Sequence, residues 1–259
     1  MAHLESALQL YALAEPAMAS TPVDQAVCKV NWANALQKYF DTPAGSLAHL
    51  EKAMRLFALA ERDLAPVPLS QAKCRMDCAS ALLDYFATPA GTLRHLEQAL
   101  QLLGLAEPAL ASEPLHQAGC RADWANALLT YFDTPVGTVT LLEQALQLYE
   151  VAEPALAPAP LSQAACRMSW GIALAKYFTT PAATLECLKQ AVHLFGLAES
   201  ALAPLPVSQA RCRMNWASAL MTYPGSHRSS ARMEKALELY VSAEHVLEGT
   251  PSTLAICRL

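Results

Sequence analysis

A unit of 46 residues, written out five times with a partial copy at each end, constrains this chain more than any other feature. Cys28, Cys74, Cys120, Cys166 and Cys212 fall 46 apart, as do Glu15, Glu61, Glu107, Glu153 and Glu199. Trp32, Trp124, Trp170 and Trp216 keep the same step, and Cys78 takes the tryptophan slot of its copy. A fixed period in this range marks a solenoid, in which each unit buries its apolar face only against its neighbours. The expected units are a half copy at 1–20, full copies at 21–66, 67–112, 113–158, 159–204 and 205–250, and a partial copy at 251–259.

Each unit alternates two helical patterns. The first opens on Pro22, Pro68, Pro114, Pro160 or Pro206, at the first helical position, where a missing N–H costs nothing. Cys28, Trp32, Ala35, Leu36 and Tyr39 then recur at helical spacing and form one apolar stripe. A turn such as 41–45 follows, and Ser46, Thr92, Thr138, Thr184 and Ser229 are placed to cap the second helix. Its stripe over 50–64 is Leu50, Ala53, Met54, Phe57, Ala60 and Leu64, with Leu56 and Leu59 as a second apolar side. Pro16, Pro108 and Pro154 fall within this second pattern, where Arg62 and Ser200 stand in other copies. Bends or stops are expected at those prolines and straighter helices at Arg62 and Ser200. The expected fold is all-α: a right-handed α-solenoid of stacked antiparallel helix pairs, eleven helices plus a C-terminal stub.

A net charge of −5 with no basic run gives no nucleic-acid footprint. No apolar stretch reaches membrane-spanning length without a charge or proline, and the first ten residues lack the basic start of a signal peptide, so a cytoplasmic location is expected. Six of the eight cysteines, Cys257 included, sit at equivalent points of successive units. Stacked helices place such points about 10 Å apart, too far for a disulfide, so reduced, buried thiols are expected. No cofactor or metal site is expected.

The order of landmarks resembles the tetratricopeptide repeat: Trp32, Ala35, Leu36 and Tyr39 in its first helix, Ala53 and Phe57 in its second, and Pro66 near its closing proline. The period of 46 rather than 34 and Leu36 in place of a frequent glycine depart from that family. The period, with the run YF-x-TP-x-G-T-L-x-x-LE-x-A, resembles a long-repeat variant found beside caspase-like (CHAT) peptidase domains. HEAT-type repeats, of similar period but without the aromatic pattern, are the alternative at fold level. The resemblance covers nearly the whole chain and implies a scaffold.

Three constellations invite a functional reading. His3, His49 and His95 share one repeated slot, which Cys187 holds in a later copy; a position set by the repeat speaks for structure rather than catalysis. The repeated glutamates, with Glu244 in the last copy, fall within the buried stripe and require partners, and a basic residue follows each at fourteen residues: Lys29, Arg75, Arg121, Arg167, Arg213 and Arg258. Gln25, Gln71, Gln117, Gln163 and Gln209 lie nearer the turn and add a hydrogen bond, making a structural ladder.

The third is the face of the first helices opposite their core stripe. It carries Met76, Ser80, Leu83, Asn126, Leu129, Met168, Ile172, Met214 and Ser218, with small residues (Ala33, Ala79, Ala125, Gly171, Ala217) beside them. In tetratricopeptide arrays the equivalent face holds peptides. The expected function is a non-catalytic scaffold binding a protein or peptide segment with apolar anchors, and no nucleic acid or membrane. A regulatory array cut from a larger signalling or peptidase protein, its groove facing a missing domain, is one alternative; a helical enzyme with an apolar pocket is the other. Apolar surface at both ends of the array makes end-to-end self-association a further expectation.

Overall fold

The computed structural model describes residues 2–225 and 229–247. Among them are eleven α-helices, one 3₁₀ turn and no strand. The helices are α1 (Ala2–Ala17), α2 (Pro22–Phe40), α3 (Leu47–Asp63), α4 (Pro68–Phe86), α5 (Leu93–Ala106), α6 (Pro114–Phe132), α7 (Val139–Ala155), α8 (Pro160–Tyr177), α9 (Leu185–Ala201), α10 (Pro206–Met221) and α11 (Ser230–Leu247). The chain divides into two compact units, Met1–Ala127 and Leu128–Leu259, with the division inside α6. In the first unit each helix from α1 to α5 packs on the next, and α2 also touches α4. In the second, α7 to α11 do the same, and α8 touches α10. Neighbour-on-neighbour contact of helix pairs is the architecture of a helical solenoid.

The repeated prolines open α2, α4, α6, α8 and α10 as the sequence implies. Between paired helices, Gly45, Gly91 and Gly137 allow a tight turn: a Cβ there would stand 2.1 Å from the carbonyl oxygens of Phe40, Phe86 and Phe132. Where Ala183 holds this slot, α8 ends one residue early at Tyr177, and the turn's N–H···O bond lengthens to 3.3 Å from 2.8–3.0 Å at the glycines. The repeated histidines cap helices. The backbone N–H of Ser46 donates to His49 Nδ1 at 3.1 Å, and that of Thr92 to His95 Nδ1 at 3.1 Å. Histidine thus plays the part that glutamate plays in a capping box.

The prolines in the second helices shift where a helix ends at one copy of the three. Helices α1 and α7 run through Pro16 and Pro154 and end one residue later, at positions equivalent to the ends of α3 and α9, which carry no proline. Only at Pro108 does the helix stop short: α5 ends at Ala106 and a 3₁₀ turn, Pro108–Leu110, follows. The helix end is therefore set by the repeat. In α3, α7 and α9 the leucine that follows, Leu64, Leu156 or Leu202, is buried and bonds back to a carbonyl four residues before it, whereas α1 ends at the same position before Met18, which is only half-buried.

Leu50, Ala53, Phe57 and Ala60 of the core stripe are fully buried, and Phe57, Leu103, Tyr149 and Phe195 occupy one repeated core position. Met54 is only half-buried, and Leu59, expected on a second covered side, is 44% exposed. Cys74, Cys120 and Cys212 are buried free thiols, each donating to a second-helix carbonyl seventeen residues earlier, at 3.5–3.6 Å. Burial pushes the Cys120 and Cys212 thiols up to about 12, well away from reactivity. Cys257 and the expected stub at 251–259 lie outside the described residues.

Candidate functional site

Chemistry in the repeat goes first to the scaffold. Glu61, Glu107, Glu153 and Glu199 accept from the guanidinium Nε of Arg75, Arg121, Arg167 and Arg213 at 2.6–2.9 Å, and each also accepts from its glutamine amide at 3.0–3.1 Å. The same amides reach the backbone carbonyl of the glutamate at 3.0–3.4 Å. The expected ladder is present. In the first copy lysine replaces arginine: Lys29 lies 3.8 Å from Glu15 but 3.1 Å from Asp63. An ammonium lacks the planar fork that reaches a carboxylate in two places, so the nearer acid wins. Lys29 in turn holds the Asp63 carboxyl below its ordinary value. Arg258 lies outside the described residues. A second ladder was not foreseen: Tyr39, Tyr85 and Tyr177 donate to Glu5, Glu51 and Glu143 at 3.2–3.4 Å, a constant 34 residues apart.

The first-helix face is mixed. Met76 and Leu83 of α4 are half-buried and Ser80 is exposed, accepting from the Gln37 amide at 3.0 Å. Asn126 of α6 is half-buried. In the second unit Met168 and Ile172 are half-buried and pack on the core around Phe195, Met214 packs on Ala210, Ala243 and Leu247, and the Ser218 hydroxyl lies 2.9 Å from that of Tyr240. Two expectations need correction. Leu129 is only 9% exposed and belongs to the core, so it offers no free surface. Ala33, Ala79, Ala125 and Ala217 are fully buried, and a Cβ on buried Gly171 would lie 2.9 Å from the Phe195 ring. Their small size lets a second-helix side chain in, not a ligand backbone.

What the structure does bring together is an open cleft of about 340 Å³ in the second unit, lined by Ile172, Ala175, Asn215, Ser218 and Thr222 among others. Ile172 and Ser218, on α8 and α10, meet there. Lys176, also at this cleft, pairs with Asp133 at 2.6 Å.

The face in the first unit is less apolar than its methionine and leucines imply. Asp77 accepts from the Asn34 amide at 2.8 Å and Asp84 from Gln37 at 2.6 Å, and burial raises both carboxyls. Asp123, on α6, is pushed up to about 6 by desolvation first and the charge of Asp77 second. Its side chain is nevertheless reached by solvent, which screens part of that penalty. The signal for these acids was in the sequence. Asn34–Asp77, Gln37–Ser80 and Asp133–Lys176 are all 43 apart, three less than the repeat. Residues one turn short of a full period therefore face each other on adjacent first helices.

Among the described residues no group of three His, Cys, Asp or Glu side chains is placed to hold a metal ion, and no helix is long and apolar enough to cross a membrane.

No family model and no curated protein matches the chain. Among solved structures, it is similar to the crystal structure of BtubC (BKLC) from P. vanneervenii, with a TM-score of 0.65 and 13% identity over 95% of this chain and 90% of that one. At that identity the likeness defines the fold alone: a helical repeat-like protein.

Proposed function

We propose that this chain is a non-catalytic, tetratricopeptide-like scaffold that holds a protein or peptide segment on the face of its first helices. The observation that carries the reading is the cleft in the second unit, where Ile172 and Ser218 meet. Apolar side chains form its base and amide and hydroxyl groups its edge, the arrangement that takes an apolar anchor and bonds the backbone beside it. The recurrent glutamates, arginines and cysteines are engaged in the scaffold itself, which favours binding over catalysis. The long period and the turn signature associate the repeat with the kind found beside CHAT peptidase domains, and a cytoplasmic setting suits its reduced thiols.

Selection of displayed peptides on the full chain tests this. Enriched sequences are expected to share two or more apolar anchors and to lose binding to a Ser218→Arg variant. Enriched sequences without apolar anchors, or binding indifferent to Ser218→Arg, would refute the reading. The outer sides of α1 and α11 carry Leu10, Leu13, Leu237 and Val241, each more than half exposed, and this favours self-association as a second use of the surface.

A further inference from the structure

The tryptophans at the repeated slot lie against the second helices, Trp216 of α10 between two of them. A Cβ on Gly104 of α5 would lie 3.5 Å from the Trp124 ring, and one on Gly196 of α9 3.5 Å from that of Trp216. On the other side, the Lys52 ammonium lies 4.1 Å above the Trp32 ring and that of Lys235 5.8 Å from Trp216. The Trp216 ring is thus sandwiched between residues twenty before it and nineteen after it, and Trp124 and Trp32 keep one of those two neighbours each, twenty before and twenty after. Around Cys78 those residues are Ala58 of α3 and Gln98 of α5, and both line a cleft of about 730 Å³ in the first unit. Replacing an indole by a thiol has left the seat open.

We propose that this cleft is a binding site for a planar aromatic group of indole size, non-covalently held between α3 and α5. It lies among the second helices and is separate from the face discussed above. The walls suit such a ring. Phe57 and Leu82 form an apolar base, Met54 offers a thioether that makes favourable sulfur–aromatic contacts, and Leu102 and Leu105 face it from α5. Arg55, Gln98 and Gln101 edge the mouth, the first able to sit over a ring face and the amides to bond a polar substituent. Volume and character match sites that take small ligands, with mostly apolar walls and a few polar groups. Burial pushes the Cys78 thiol up to about 12, so it stays protonated and acts as a wall rather than a nucleophile.

Calorimetric titration of the full chain with indole and with N-acetyltryptophanamide tests the proposal. Saturable binding of either at one site per chain is expected, and binding of the amide about tenfold tighter or more assigns the group to a partner chain's side chain rather than a free ligand. Cys78→Trp restores the seat's own ring; it is expected to weaken binding about tenfold or more and to raise the melting temperature. Ala58→Phe, at an exposed position, is expected to block the mouth with the same loss and decides the matter should Cys78→Trp fail to fold. Absence of saturable binding to the wild-type chain, or undiminished binding to the folded variants, overturns the proposal.

Discussion

Glu107 accepts from Arg121 Nε at 2.8 Å and Nη2 at 2.6 Å and from the Gln117 amide at 3.0 Å, with both charged side chains at most a quarter exposed. Removing the acid strands a guanidinium in a poorly solvated place. Glu107→Ala is therefore expected to cost about 2 kcal/mol in urea unfolding, against less than about 1 kcal/mol for an exposed acid such as Glu186. Equal costs would remove the ladder's structural role. This pairing was legible in the sequence because one chemistry recurs at one spacing six times. The position of Leu129 was not: a helical wheel marks the side away from the stripe, but first helices also touch one another, as α2 does α4 and α8 does α10. Where two first helices touch, residues beside the stripe gain a second cover. A charge at Leu129, such as Leu129→Glu, should lower stability by several kcal/mol, readable as a fall in melting temperature, and so cannot serve as a surface probe. Asp123 has the opposite sign. Desolvation and the charge of Asp77 hold its carboxyl above the ordinary value of 3.8, so between the ordinary and the folded value the folded chain keeps a proton that the unfolded chain has lost. Stability falls as pH rises across that window. Asp123→Asn should accordingly melt higher than wild type at about pH 7.5, and the difference should close near pH 4.

At the scale of the helix, punctuation was the most legible feature. Proline at the first position, serine or threonine at the second helix's cap and glycine in the turn each have a local cause that sequence alone displays. Gly91 shows what the turn demands, since a Cβ would stand 2.1 Å from the Phe86 carbonyl oxygen. Gly91→Ala is expected to destabilise by about 1–3 kcal/mol, whereas Ala183→Gly, where α8 already ends early, should change stability little. Equal effects at the two sites would show that the early end of α8 has another origin. The prolines of the second helices were a weaker signal: α1 and α7, with a proline, end where α3 and α9 end without one, and only α5 stops before its proline. The break at Cys78 was visible as a substitution, but its consequence needed the helices on both sides. Only the structure shows that Ala58 and Gln98 flank it.

Across the whole molecule, the repeat determines which surfaces recur, and the exceptions to it single out places for partners. The exposed leucines of α1 and the apolar side of α11 predict concentration-dependent association by light scattering, reduced in a Leu13→Glu, Val241→Glu double variant. A monomer at every concentration would exclude it. The central claim concerns the cleft of Ile172 and Ser218, and the most direct measurement is the dissociation constant of a selected peptide at low and moderate salt, for wild type and Ser218→Arg. Anchors held by apolar contact predict a change of less than about threefold between the two salts and a loss of about tenfold or more in the variant. Affinity that collapses with salt, or a Ser218→Arg chain that binds like wild type, would contradict it.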